Sequence, residues 1–419
     1  MIKEPCLPLF DLAICISDAC DLVSSALAHH HKQVAYISYR IGKMMGLSGN
    51  DLADLVLAAA MHDIGALSLQ ERIEIMEFES VNVMPHAELG SALLRHFAPA
   101  IHIAEIVRWH HQYWDGSNDT GADTSQVPLS SYILHLADRV ALLIDMQNDV
   151  IGQIDNIREK LSGKRGTMFS PDVFDAFEAV SHNECFWLDA VSPSVYRILR
   201  KLIRMQTLTL DLRQLDELSI LFSRIIDFRS RYTATHSAGV ATVAMHLAGY
   251  AGFSRRECEY MRIAGLLHDL GKLAVPREIL EKPGSLDKRE YDLIRSHTYY
   301  TYRILDTLDD FETINEWGAF HHERLNGSGY PFHHQADDLS LGSRIMAVAD
   351  IFTAITEDRP YRGGINPDES LGLLLSMGRH GLVDLPLVEL LKKNSDTIND
   401  ARIREQRLSK ELYDAMLKR

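Results

Sequence analysis

Residues 110–117 read HHQYWDGS and residues 321–331 read HHERLNGSGYP, so the chain twice sets two imidazoles side by side ahead of a glycine-bearing loop. Each pair belongs to a longer series of the same residue types. His30, His62, Asp63, His86, His110, His111 and Asp138 run through the first half, and His236, His268, Asp269, His297, His321, His322 and Asp350 through the second. Five imidazoles and two carboxylates per half make a mixed nitrogen and oxygen donor set of the kind that holds transition metals. One ion with positions left open for chemistry does not need seven protein ligands. Two ions sharing a carboxylate do, and a pair about 3.5–4 Å apart activates water and clamps a phosphoryl oxygen. Asp269, next to His268, is placed to bridge such a pair. An isolated histidine carries no such weight, and His29, His31, His96 and His333 are read as ordinary core or surface residues.

The spacing shows that the second series repeats the first. His30 lies 32 residues before His62, and His236 lies 32 before His268. His86 and His297 follow those anchors by 24 and 29 residues, and a further 24 residues lead from each to its histidine pair. Asp138 stands 27 residues after His111, and Asp350 stands 28 after His322. With 20 histidines in 419 residues, five in register exclude coincidence, and a unit this long is a duplicated domain and not a solenoid repeat. The elements that must carry these residues read as helices. LFDLAICISDACDLV (9–23) and LDELSILFSRIIDFR (215–229) place apolar residues at helical spacing, with Leu9, Leu12 and Ile16 matching Leu215, Leu218 and Phe222. Alternating β-branched runs are scarce, and Gly, Pro and Asn mark the breaks. The chain is therefore read as all-α, with domain one at about 9–200 and domain two at about 210–419. The junction RMQTLTLDLRQ (204–214), free of Gly and Pro, is read as a helix joining them.

At 419 residues the chain is long enough for two or three domains, each with its own core. Its net charge of -15 argues against a nucleic-acid polymer as partner, because affinity there rests on basic surface. A small anionic ligand remains compatible, since bound metal ions supply local positive charge. The five cysteines, Cys6, Cys15, Cys20, Cys185 and Cys258, form no CxxC pair and are odd in number, which speaks against a disulfide framework. No signal peptide and no run of about 18 apolar residues is visible. A cytoplasmic protein without a membrane partner is the expectation.

The pattern H…HD…H…HH…D resembles the HD superfamily of metal-dependent phosphohydrolases. HDLGK (268–272), HHERLNGSGYP and ADIFTAITEDRPYR (349–362) resemble its HD-GYP subfamily, the bacterial cyclic dinucleotide phosphodiesterases, over roughly residues 215–375. The resemblance implies two tandem helical bundles related by duplication, and a cyclic dinucleotide cleaved to its linear form. It implies that His236, His268, Asp269 and Asp350 hold one divalent transition metal ion and that Asp269, His297, His321 and His322 hold a second, iron, manganese or another. Tyr232 stands where some members have a glutamate for a third ion, so two are expected. Lys272, in the HDLGK context, fits a clamp for charge developing on a phosphate oxygen. Gly327, Gly329, Tyr330 and Pro331 form the family's loop, with glycines for tight turns and a tyrosine face for contacts. Arg359 and Arg362 match positions that bind ligand phosphate, a task suited to arginine's forked donors. The chain departs from the family at Thr301, Asn326, Thr353 and Ser230, none of them a metal ligand; these leave open the choice between cyclic di-GMP and 3′,3′-cyclic GMP-AMP.

Domain one keeps the full ligand series as a second candidate metal site, and also keeps Gly90 and Asp115 where domain two has changed. Ala66 stands in the lysine position, SNDT replaces SGYP, and no RPYR follows Asp138. It is read as a degenerate HD domain, regulatory or dimerising in a homodimer, against the rival of a second hydrolase. For the whole chain the leading reading is a cyclic dinucleotide phosphodiesterase. A non-catalytic cyclic dinucleotide sensor and a mononucleotide phosphohydrolase are the alternatives.

Overall fold

The computed structural model describes residues 4–22, 29–66, 84–118, 123–203, 207–229, 233–357 and 363–416. Two compact units emerge, one formed by Pro8–Leu208 and the other by Met1–Leu7 with Thr209–Arg419. The first residues join the second unit because Leu210 N donates to Pro5 O at 2.9 Å and Cys6 N to Asp310 Oδ2 at 3.2 Å. The architecture is all-α. Among the described residues, strand is confined to Cys6–Pro8 and Thr207–Thr209, which pair with each other. The helix expected across 204–214 is not what forms: Thr207–Thr209 is extended, and the next helix begins at Leu212. The reason is local, since TLT alternates β-branched and apolar residues, which suits a pleated segment.

Each unit is built around the helix that carries its first histidine. In the N-terminal unit, His30–Met44 packs against Gly49–Met61, Leu129–Leu143 and Pro171–Ser181. In the C-terminal unit, Thr233–Tyr250 packs against Leu212–Arg229, Arg255–Leu267, Leu341–Thr356 and Ser395–Met416. A helix enclosed on several sides must be apolar around its circumference, and Val240, Ala241, Val243, Ala244, Leu247 and Ala248 are all buried. Small residues set the closeness of the crossing: a Cβ on Gly265 would stand 2.5 Å from Ala241 Cα. The segments matched at the start of each domain form Leu9–Asp21 and Leu212–Arg229, with Leu12, Ile16, Leu215, Leu218 and Phe222 buried and Leu9 half-buried. No helix among the described residues is long and apolar enough to cross a membrane.

Candidate metal centres

The His-Asp dipeptides sit where helices end. Ser254 opens Arg255–Leu267 with a capping box shared with Glu257, and the helix stops at His268; Gly49–Met61 stops in the same way at His62. The turn that follows must lie flat on the helix carrying the third histidine. A Cβ on Gly271 would stand 1.9 Å from His297 O, and one on Gly65 would stand 2.1 Å from His86 O, so both positions require glycine. In the C-terminal unit Thr301 braces this turn, its Oγ1 donating to His268 O at 3.0 Å and accepting from Gly271 N at 2.8 Å. Thr301 stands where the first domain has Gly90, and its hydroxyl takes up the two backbone groups of the turn. Gly271→Ala is expected to destabilise the protein by about 1–3 kcal/mol or more through overpacking, measurable by denaturant unfolding.

Once the turn is set, backbone carbonyls aim the imidazoles. His268 Nδ1 bonds Gly265 O at 2.6 Å, His297 Nδ1 bonds Ile294 O at 2.5 Å, and His321 Nδ1 bonds Gly318 O at 2.7 Å. A nitrogen facing a carbonyl must carry the proton, so each Nε2 is a bare acceptor pointing inward. These acceptors crowd around one carboxylate. Asp269 Oδ2 lies 3.1 Å from His268 Nε2 and 3.8 Å from His236 Nε2, while Oδ1 lies 3.4 Å from His297 Nε2 and 3.9 Å from His321 Nε2. Asp350 spans likewise, with Oδ1 3.1 Å from His236 Nε2 and Oδ2 3.9 Å from His322 Nδ1. His297 Nε2 and His321 Nε2 face each other at 3.2 Å. Lone pairs converging on a carboxylate repel unless a cation lies between them. Consistent with that, His268 Nε2 and Asp269 Oδ1 are buried without a hydrogen-bond partner, which costs roughly 1–3 kcal/mol per group when nothing else satisfies it. The residues fit divalent metal ions.

Burial pushes His297 down to about 4 and His322 to about 3, which keeps both imidazoles neutral and able to ligate. Burial would raise Asp269, but the positive charge of Lys272 beside it holds it well below the usual carboxylate range. Lys272 Nζ reaches Asp269 Oδ2 at 2.6 Å. Glu357, which the sequence did not single out, accepts from His236 Nδ1 at 2.9 Å and also bonds Gln406. Outer partners of this kind fix ligand orientation, and losing one costs 10- to 100-fold in metal affinity. Glu357→Ala is therefore expected to weaken metal binding by about that factor, read by competition with a chelating dye.

The loop after His322 is organised by buried Glu323, whose Oε1 accepts from Phe332 N at 2.8 Å and Oε2 from His334 N at 3.1 Å. Gly327 has φ +74°, and a Cβ on Gly329 would stand 2.4 Å from Glu323 Cα. Tyr330 thereby comes over His322, ring centroids 4.9 Å apart, and the Arg295 guanidinium lies 4.9 Å from the Tyr330 ring centroid. Pro331 follows, half-buried. His322 and Lys272, with side chains 25% and 15% exposed, form the solvent edge of the centre. Arg359, Arg362, Tyr232 and Ser230 lie outside the described residues.

The N-terminal unit brings its seven residues together in the same manner. His62 Nδ1 bonds Ala59 O at 2.9 Å and His110 Nδ1 bonds Val107 O at 2.6 Å. His62 Nε2 and His86 Nε2 lie 3.3 Å from Asp63 Oδ2 and Oδ1 respectively, and His30 Nε2 lies 3.0 Å from Asp138 Oδ1. Ala66 is buried and offers no charge. A cation nonetheless enters from a position the sequence did not flag: Arg139, buried, donates from Nε and Nη2 to Asp138 Oδ2 at 3.0 and 2.6 Å.

Family models described as HD domain match residues 220–387 and residues 27–143. A 3′3′-cGAMP-specific phosphodiesterase of Vibrio cholerae, number 1, is 27% identical over 400 residues, 93% of each chain. Number 3 from the same organism is 26% identical over 452 residues, 95% of this chain and 97% of the other. A cyclic di-GMP phosphodiesterase of Pseudomonas aeruginosa is 38% identical over 150 residues, 36% of each chain. The crystal structure of a cyclic GMP-AMP specific phosphodiesterase from V. cholerae aligns with TM-score 0.67 at 24% identity, covering 93% of this chain and 98% of that one. At that identity the likeness establishes the fold.

Proposed function

Because the chain belongs to the HD-domain family, with one HD domain in each half, we propose that its C-terminal unit is a metal-dependent phosphodiesterase that opens a cyclic dinucleotide. The observation that carries this reading is Asp269, which presents one oxygen to His236 and His268 and the other to His297 and His321 beside an anchored lysine. His236, His268, Asp269 and Asp350 would hold one divalent transition ion, and Asp269, His297, His321 and His322 a second, with iron or manganese the chemically suited choices. Such a pair supplies water activation and charge stabilisation at a phosphoryl oxygen. The chain's residues do the rest. Lys272, held at Asp269 Oδ2, stands at the solvent edge where a phosphodiester enters and offers its ammonium to a phosphoryl oxygen as charge develops. Tyr330, over His322, presents a ring against which a base can pack. Water adds to phosphorus, the bond to the 3′ oxygen breaks, and that oxygen leaves as a hydroxyl, giving a linear dinucleotide with a 5′ phosphate.

The shared tandem architecture supports 3′,3′-cyclic GMP-AMP as the preferred substrate. Two cGAMP-specific relatives correspond over both halves of the chain and a third over 45% of it, whereas the cyclic di-GMP phosphodiesterase of P. aeruginosa corresponds over 36% of it. Under this reading the protein acts in the bacterial cytoplasm, and the N-terminal unit serves regulation or dimerisation. The test is kcat/KM for 3′,3′-cyclic GMP-AMP and cyclic di-GMP on manganese- or iron-loaded protein. The first is expected to be the better substrate. A preference for cyclic di-GMP overturns the substrate choice, and turnover of neither overturns the enzymatic reading in favour of a sensor.

A further inference from the structure

We infer that the N-terminal centre is a closed structural site for one metal ion, held by Asp63, His86, His110 and His111, in which the Arg139 guanidinium takes the place of a second ion. The inference does not depend on the phosphodiesterase reading of the other unit.

The first support is the donor geometry. Metal–nitrogen bonds of 2.0–2.1 Å in a tetrahedral site put neighbouring donors about 3.3 Å apart. The separations here are 3.1 Å for His111–His86, 3.3 Å for His86–Asp63, 3.4 Å for His86–His110 and 3.7 Å for His110–Asp63. All four donor atoms lie within 4.8 Å of one another, a set of four where the C-terminal unit forms sets of three; His30, His62 and Asp63 also group this closely, at the end of the centre where Arg139 lies on Asp138.

The second support is closure. Structural sites are saturated by protein, and catalytic sites keep a position open. His111 is 2% exposed, against 25% for the side chain of His322. Over His111 lies His135, ring centroids 5.8 Å apart, itself stacked on Tyr113 at 5.7 Å. His135 stands three residues before its aspartate, where the other unit has Ala347. Asn118 ties the segment down, donating to His111 O at 2.8 Å and accepting from Tyr113 N at 3.1 Å.

The third support is charge at the other end of the centre. Arg139 places two donors on Asp138 Oδ2. The remaining oxygen, Oδ1, already lies 3.0 Å from His30 Nε2 and 3.6 Å from His62 Nε2. The guanidinium's positive charge lies against Asp138 and repels a dication from the His30–His62 side. The residue that follows Asp350 is Ile351, which carries no charge.

The test counts ions in the full-length chain. With the C-terminal centre disabled as His268→Ala/Asp269→Ala/His321→Ala, elemental analysis is expected to find one ion per chain. Adding His86→Ala should reduce this to none, and adding Arg139→Ile should raise it to two. An empty chain or two ions in the first variant, or an unchanged count with Arg139→Ile, overturns the inference. Should these variants fail to fold, the wild-type protein decides: under graded chelation one ion per chain is expected to be retained long after the others leave. Simultaneous release of all ions overturns closure.

Discussion

Asp269→Ala is expected to abolish turnover in protein that remains folded. Asp269 presents oxygen to both histidine groups, at 3.1 Å from His268 Nε2 on one side and 3.4 Å from His297 Nε2 on the other, whereas Asp350 reaches the second group only at 3.9 Å from His322 Nδ1. Removing it leaves the inward acceptors without a shared anion and leaves Lys272 without its partner at 2.6 Å. Under the proposed function the carboxylate that two adjacent ions would share is lost with it, and with that the means of activating water near neutral pH. Turnover, metal content and circular dichroism on the same preparation check this. A folded Asp269→Ala protein with near-wild-type activity would show that the chemistry lies elsewhere.

Lys272→Ala is expected to lower kcat by roughly 10²-fold or more, the scale seen when a donor to the transition state is lost. Metal content should persist, because the ammonium is not a ligand and Asp269 keeps His268 as a neighbour. An interaction made only in the transition state lowers kcat and kcat/KM together, whereas loss of ground-state binding raises KM alone. Parallel measurement of kcat, KM and bound metal therefore separates the roles. Loss of the ions in this variant would mean that Lys272 serves to hold Asp269 in place.

What the sequence made legible was whatever recurred or was periodic. The two histidine series stood out because their spacing repeats, and the helices because apolar residues recur with a 3.6-residue period, as at Leu215, Leu218 and Phe222. What stayed hidden depends on tertiary placement. Glu357 reads as one acidic residue among many, and becomes His236's partner only when the end of Leu341–Thr356 meets Thr233–Tyr250. Arg139 is hidden for a similar reason: a charged residue next to a ligand reads as surface, yet its side chain turns back onto Asp138 inside the centre. Ala66 stands in the lysine position of the first domain, and Arg139 brings a cation to that centre from elsewhere. Glu323 could have been found from its place directly after the histidine pair, ahead of a loop whose free backbone N–H groups need an acceptor. The junction was misread because the absence of Gly and Pro permits a helix without requiring one, and Thr207–Thr209 pairs as a strand instead.

The most direct test of the central claim is hydrolysis of 3′,3′-cyclic GMP-AMP by the metal-loaded protein in ¹⁸O-labelled water, with products resolved by mass spectrometry. The account predicts a linear dinucleotide as the first product, carrying a single label in its terminal 5′ phosphate, with no orthophosphate released. An intact cyclic substrate, or hydrolysis confined to mononucleotides with label in free phosphate or triphosphate, would contradict it.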